Sequence, residues 1–286
     1  MAAASPPAEG LWPRLAAGNE DWLFVLMPGS IPLLLTLRWL LDRVLYKPVA
    51  RRALLKDSAT KAIPKKTLHN IDRFCESFWK CTAYSSLLCI GAYALYDQPW
   101  LWHTAELWRG WPHYELPGKV QLYYASQLAF YSSSLVMLFS WEERRKDFGV
   151  MLLHHIVTVV LIAVSHITGF GRVGSIIMIL HDPSDIFLEA AKMGNYAGLN
   201  APVIASFALL LITWFGLRLV VLPGVIIPSI WFELPAILGH HNGIALGLSL
   251  LLCLLVVLHI YWFYLIVQIA VNVARGEVRD TREAED

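Results

Sequence analysis

Charge is scarce in this chain. Only 16% of its 286 residues are Asp, Glu, Lys or Arg, against about 25% in an ordinary soluble domain. The charges nearly cancel: 23 Lys+Arg against 22 Asp+Glu leave +1. There is no basic surplus of the kind nucleic-acid binding needs, so no nucleic-acid partner is expected. Cysteine is sparse too. Cys75, Cys81, Cys89 and Cys253 lack metal-ligand spacing, and three of them share one apolar stretch, as buried thiols would. No internal repeat or soluble domain is visible, and residues 1–19 lack the apolar core of a signal peptide. What the chain has in quantity is apolar surface: 57% hydrophobic residues and a mean hydropathy of +0.52. That is too much for one globular core of this size. The fold class expected is all-α, a polytopic membrane helix bundle.

A bilayer core of about 30 Å takes roughly 20 apolar residues in a helix. Runs of this kind lie at 22–41, 74–96, 122–141, 148–168, 200–222 and 243–274. A seventh, 174–193, is apolar apart from His181, Asp182, Asp185, Glu189 and Lys192. Loop charge argues for including it. Nine Lys/Arg lie between Asp42 and Arg73, Arg73 included; Arg144, Arg145, Lys146, Lys192, Arg275, Arg279 and Arg282 fall on the same side. Arg14, Arg109, Lys119 and Arg172 fall on the other, while Arg38, Lys80 and Arg218 lie within spans, where Lys80 and Arg218 are read as snorkelling. Seven spans keep the basic loops together, with the N-terminus lumenal and the C-terminus cytosolic. Residues 225–238 are apolar but short and broken by Pro228 and Pro235, and are expected to be interfacial or re-entrant. The tryptophan-rich loop 100–111 is expected at the lumenal headgroups.

The ionisable residues within spans are the informative ones, because each costs a few kcal/mol at membrane depth (about 2.5–3.5 for an acidic or basic side chain). His154 lies on one helical stripe with Thr158, Leu161 and Ser165, and His155 on another with Ile162 and His166. Asp182, Asp185 and Glu189 share a face of the next span, with His181 beside them. Tyr123, Gln127, Tyr131 and Ser134 form a stripe on the span before. Three neighbouring helices are thus expected to line one polar cavity. His166, Glu189 and His259 read as structural, and His240-His241 as an ordinary polar loop. No H-x3-H or H-x2-HH cluster and no H-E-x-x-H motif occurs, so neither a di-iron site nor a zinc-protease site is expected. A His acting as general base or nucleophile, oriented by Asp, remains. The alternatives are a non-enzymatic lipid-binding or translocation protein and a proton-coupled transporter using the same His and Asp.

The run Arg144-Arg145-Lys146-Asp147-Phe148-Gly149-Val150-Met151, then His154-His155-Ile156-Val157-Thr158, Leu161-Ile162 and Ser165, resembles the Lag motif of ceramide synthases. It continues through Arg172-Val173-Gly174-Ser175, His181-Asp182-Pro183-Ser184-Asp185, Leu188-Glu189 and Ala191-Lys192-Met193. The wording is similar to plant-type longevity-assurance homologues; Pro183 stands where a small residue is usual. With this resemblance the expected organisation is a lumenal N-terminus, first transmembrane helix and basic cytosolic loop over 1–73, a six-helix TLC domain over 74–274 with the motif at 144–193, and a cytosolic tail over 275–286. It implies N-acylation of a sphingoid base, sphinganine or phytosphingosine, by fatty acyl-CoA in the endoplasmic reticulum membrane. No metal and no cofactor is implied, acyl-CoA being a co-substrate. The catalytic set would be His154, His155, His181, Asp182 and Asp185. Tyr123, Gln127, Tyr131, Thr158 and Ser165 would contact substrate, and Arg144, Arg145 and Lys146 the CoA phosphates. Two routes stay open: acyl transfer through an acyl-imidazole on His154, which is favoured, or His as a base for direct aminolysis. Gly243-x-x-x-Gly247 would permit the close helix packing of a homodimer.

Overall fold

The computed structural model describes residues 22–55, 63–142 and 146–274, with no strand among them. Helix α1 (Trp22–Leu41) passes through a π-helical turn, Asp42–Tyr46, into α2 (Lys47–Leu54). Then come α3 (Lys65–Leu95), the short α4 (Ala105–Trp108), α5 (Gly118–Ser140), α6 (Phe148–Ile167) and α7 (Gly171–Tyr196). Helix α8 (Asn200–Thr213) runs on through π-helical stretches at Trp214–Ile226 and Ser229–Glu233 into α9 (Leu234–Leu238), and α10 (Gly243–Ala274) completes the bundle.

The chain is a helical membrane protein. Among the described residues, three stretches are both long and apolar enough to cross a bilayer: Phe148–Ile167, Asn200–Leu238 and Gly243–Asn272. The sequence count of seven is larger because it also takes in α1, α3, α5 and α7. Polar residues of α3, α5 and α7 are paired between helices, Lys80 with Glu142 and Asp182 with Tyr123 and Gln127. Helix α7 is the hub, packing most extensively on α3 and then on α8. Helices α6 and α7 are consecutive yet touch little, and cavities occupy the space between them.

Residues 225–238 depart from the re-entrant segment expected of them. They continue one helical stretch, Asn200–Leu238, of 39 residues. Proline interrupts an α-helix by removing an N–H and crowding the carbonyl four residues back. Here Pro223 lies inside a π-helical stretch and Pro228 and Pro235 flank the next; the wider turns relieve the crowding. The helix stops at Gly239, whose φ of 75° favours glycine.

The end of the bundle where α3 starts, α5 stops, α6 starts and α7 stops gathers Lys80, Glu142 and Lys192, and is called here the basic end. At the opposite, aromatic end, α6 closes on Gly169 (φ 79°), with Phe170 N–H bonded to the Ser165 carbonyl at 2.8 Å. That turn sends α7 back beside α6. Helix α7 also fits closely on α5: a Cβ at Gly174 would lie 1.9 Å from the Tyr124 hydroxyl. Nearby, Lys119 and Gln98 donate to Asp97, and the lysine bond holds this exposed carboxyl below its ordinary range.

Candidate active site

Two cavities meet at one histidine. The first is an apolar chamber of about 700 Å³ running from His154 and His181 toward the aromatic end, walled by residues such as Leu161, Ile177, Leu248 and Leu252. The second, about 1020 Å³, opens at the basic end and includes Lys80, Glu142, Asp185, Glu189, Lys192 and Arg218 in its wall. Among the described residues, His154 is the one in the walls of both. Its stripe follows the sequence expectation, for Thr158, Leu161 and Ser165 all line the apolar chamber. Tyr131 and His181 line it as well. His155 faces only the polar cavity, with its ring against Tyr131 at 6.1 Å. One polar cavity walled by three helices was expected; the space is instead divided into an apolar and a polar compartment.

The acidic residues are separated in the same way. Positions i and i+3 differ by about 60° around a helix, enough to send Asp182 and Asp185 to different neighbours. Asp182 is fully buried, accepting from the Tyr123 hydroxyl at 3.0 Å and from Gln127 Nε2 at 2.9 Å, with Gln127 also donating to Tyr123. Tyr123, Gln127 and Asp182 line neither cavity. Their bonds lock α5 to α7, so they support the site from behind. Asp185 does line the polar cavity and is paired with Arg218 Nη2 at 2.7 Å. The same nitrogen donates to the His181 carbonyl at 2.7 Å, and the guanidinium stacks on Trp214 at 4.1 Å. Arg218 is thus a buried structural cation, not a snorkelling one. Lys80 likewise bridges Glu76 at 2.9 Å and Glu142 at 2.8 Å.

An Asp orienting one of the paired histidines was expected, but among the described residues no carboxylate bonds either imidazole. Nδ1 of His154 and Nδ1 of His155 are buried with no hydrogen-bond partner among those residues. Aromatic neighbours hold His154 instead: Trp262 edge-on at 5.2 Å, His155 at 5.6 Å and His259 at 6.3 Å. Trp262 is fixed in turn by its indole N–H, which donates to Asp147 Oδ2 at 3.3 Å. His181 has a defined tautomer, since Nδ1 lies 2.6 Å from the Ile177 carbonyl and must donate to it. Its Nε2 lone pair, buried and without a partner, belongs to a ring that lines the apolar chamber.

Lys146 is exposed beside the basic end; Arg144 and Arg145 lie outside the described residues. His166 packs on Tyr124 at 5.3 Å and Glu189 pairs with Lys192 at 2.8 Å. His259, read from sequence as a lone structural histidine, is fully buried, stands 4.9 Å from His181 and has neither ring nitrogen bonded within the described residues. It and Trp262 sit one helical turn apart on α10, so their shared face was available as a signal, though nothing local tied it to the His154 stripe.

The arrangement can perform nucleophilic or general-base chemistry at an imidazole placed between an apolar compartment and a charged one. Residues 73–268 match the TLC domain family. An ASC1-like protein of Solanum lycopersicum is 36% identical over 274 residues, 90% of this chain and 89% of its own. Ceramide synthase LOH2 of Arabidopsis thaliana is 36% identical over 249 residues, covering 85% and 84%. Ceramide synthase 5 of Homo sapiens is 37% identical over 215 residues, 73% of this chain and 53% of that one. The chain belongs to the TLC-domain family, among the ceramide synthases.

Proposed function

We propose that this protein is a sphingosine N-acyltransferase that joins a fatty acyl group from acyl-CoA to the amine of a sphingoid base, with His154 as the acyl carrier. One observation carries the assignment: His154 alone is shared by an apolar chamber suited to a hydrocarbon chain and a charged cavity suited to polar substrate groups.

The covalent route has two displacements. An unprotonated imidazole nitrogen of His154 attacks the thioester carbonyl, a C–N bond forms, the C–S bond breaks, and the departing sulfur takes the imidazole proton to leave as CoA thiol. The sphingoid ammonium gives one proton to His155, which faces the same cavity. The free amine then attacks the acyl-imidazole, the amide C–N bond forms, the imidazole C–N bond breaks, and the second amine proton returns to the ring. Burial keeps water from competing for the acyl group. Asp185 with Arg218 fixes the neighbouring wall, and Asp182 with Tyr123 and Gln127 fixes α7. Thr158, Ser165 and Tyr131 contact the acyl chain, while Lys146, with Arg144 and Arg145, meets the CoA phosphates from outside.

The same assignment brings the finer topology: seven spans, a lumenal N-terminus, and the polar cavity open to the cytosol, where acyl-CoA is found, in the endoplasmic reticulum membrane. No resident cofactor takes part. The small-residue pair Gly243 and Gly247 is open on its helix face and offers a surface for a second copy.

The test is ceramide formation from sphinganine and acyl-CoA by purified protein, with His154→Ala and Asp185→Ala alongside. Product from wild type and none from either variant is expected. Activity surviving both substitutions removes the proposed site.

A further inference from the structure

The tryptophan-rich loop between α3 and α5 is not built as a headgroup anchor. An interfacial tryptophan keeps its indole N–H in the wet layer. Here Trp100, Trp108 and Trp111 each bury that N–H without a partner among the described residues, and only Trp102, 77% exposed, points outward. Burying an unbonded donor costs about 1–3 kcal/mol, so the packing of these rings outweighs a polar role.

Trp108 and Trp111 pack against the wall of the apolar chamber at its aromatic end. Phe170 lines the chamber and is 2% exposed; Trp111 lies 5.2 Å and Trp108 6.2 Å from its ring. Ser165 stands eleven residues along α6 from His154, roughly 16 Å at 1.5 Å per residue, and Phe170 follows just past the helix end. Arg172, two residues on, clamps the loop. Its Nη1 donates to the Glu106 and Arg109 carbonyls, both at 2.8 Å, and its guanidinium lies 3.9 Å from the Tyr114 ring and 4.9 Å from Trp100. On the other side, Thr104 donates to Glu233 at 2.8 Å, within the same π-helical stretch as Ile230, another chamber residue.

We propose that Phe170 is the floor of the acyl chamber and sets the longest chain accepted, with the loop 99–111 behind it, through Trp108 and Trp111, as its backing. The proposal rests on His154 being the acyl site, since that fixes which end of the chamber the methyl terminus reaches. Hydrophobic pockets reject an overlong chain by crowding, and one methylene is worth about 10- to 200-fold. Removing Phe170, or its backing, opens room for several.

The test offers full-length enzyme an equimolar mixture of saturated acyl-CoAs from palmitoyl to hexacosanoyl, with sphinganine, and reads ceramide lengths by mass spectrometry. Phe170→Ala is expected to shift product toward longer chains, raising the ratio of longer product to the wild-type favourite by about tenfold or more. Trp111→Ala, which alters only the backing, should shift it the same way, and Val173→Phe, which fills the floor, should shift it toward shorter chains. If Phe170→Ala does not fold, Phe170→Leu takes its place. An active Phe170 variant with an unchanged length profile overturns the proposal, as does a Trp111→Ala enzyme that is uniformly slower with wild-type lengths. Wild type giving no ceramide of any length fails the enzymatic assignment itself, a result distinct from an unchanged profile.

Discussion

Arg218 donates through one nitrogen, Nη2, to both the Asp185 carboxylate and the His181 carbonyl, each at 2.7 Å. A single guanidinium thus ties the long π-helical segment to α7 where the polar cavity meets the apolar chamber. Asp185 keeps 17% of its side chain exposed while Arg218 has 3%, so the cation is the more deeply committed partner. Arg218→Leu should cost about 3–5 kcal/mol of stability, the range for breaking a buried pair, and abolish turnover. Arg218→Leu combined with Asp185→Leu should recover part of the stability and none of the activity. Thermal unfolding and a ceramide assay on the same preparations separate the two effects.

Asp182 is expected to act through structure. Its partner Gln127 has an unbonded Oε1 in the interior, so turning the Gln127 amide over would let it accept from a new donor. Asp182→Asn is therefore expected to stay within about 1 kcal/mol of wild type, whereas Asp182→Ala, which takes the acceptor from the Tyr123 hydroxyl and leaves Gln127 bonded to Tyr123 alone, should lose about 1–3 kcal/mol. A denaturation series on both variants checks the order. Equal losses would contradict this reading.

At Gly174, α7 lies close against α5 and α6. A Cβ there would meet the Tyr124 hydroxyl at 1.9 Å and Ser165 Oγ at 2.9 Å. Gly174→Ala should destabilise by about 1–3 kcal/mol through overpacking, and Tyr124→Phe in the same chain should restore part of that loss by removing the nearest atom. The restoration, measured as a shift in unfolding temperature, is the specific outcome.

Trp262 holds His154 by its ring and Asp147 by its N–H. Trp262→Phe keeps an aromatic edge but loses the 3.3 Å bond to Asp147. Turnover is expected to fall about tenfold or more from misplacement of the imidazole, with stability changed by no more than about 1.5 kcal/mol, one hydrogen bond.

Much of the site is legible in the sequence because it lies on one continuous stripe. His154, Thr158, Leu161 and Ser165 repeat at helical spacing, and the chamber wall follows them. Tyr123 and Gln127 are visible as a stripe as well, but periodicity shows that residues share a face without saying what that face meets; here they bond Asp182 and line neither cavity. Arg218 and His259 are visible in the sequence but not their roles, and Trp262 gives no signal of its own. Each comes from an apolar segment, so nothing local distinguishes a bridging arginine from a snorkelling one, or a histidine and a tryptophan beside His154 from packing residues. The helix 200–238 was misjudged through its prolines, since the sequence signal for a break is the same whether the chain turns away or widens to a π-helix.

The central claim is that His154 carries the acyl group. Intact-mass spectrometry after incubation with acyl-CoA alone tests it directly. An adduct of one acyl group less a proton is expected, present in His155→Ala, absent in His154→Ala and discharged on adding sphinganine. A preparation that releases CoA and makes ceramide yet never shows the adduct, with rapid quenching included, would contradict the account.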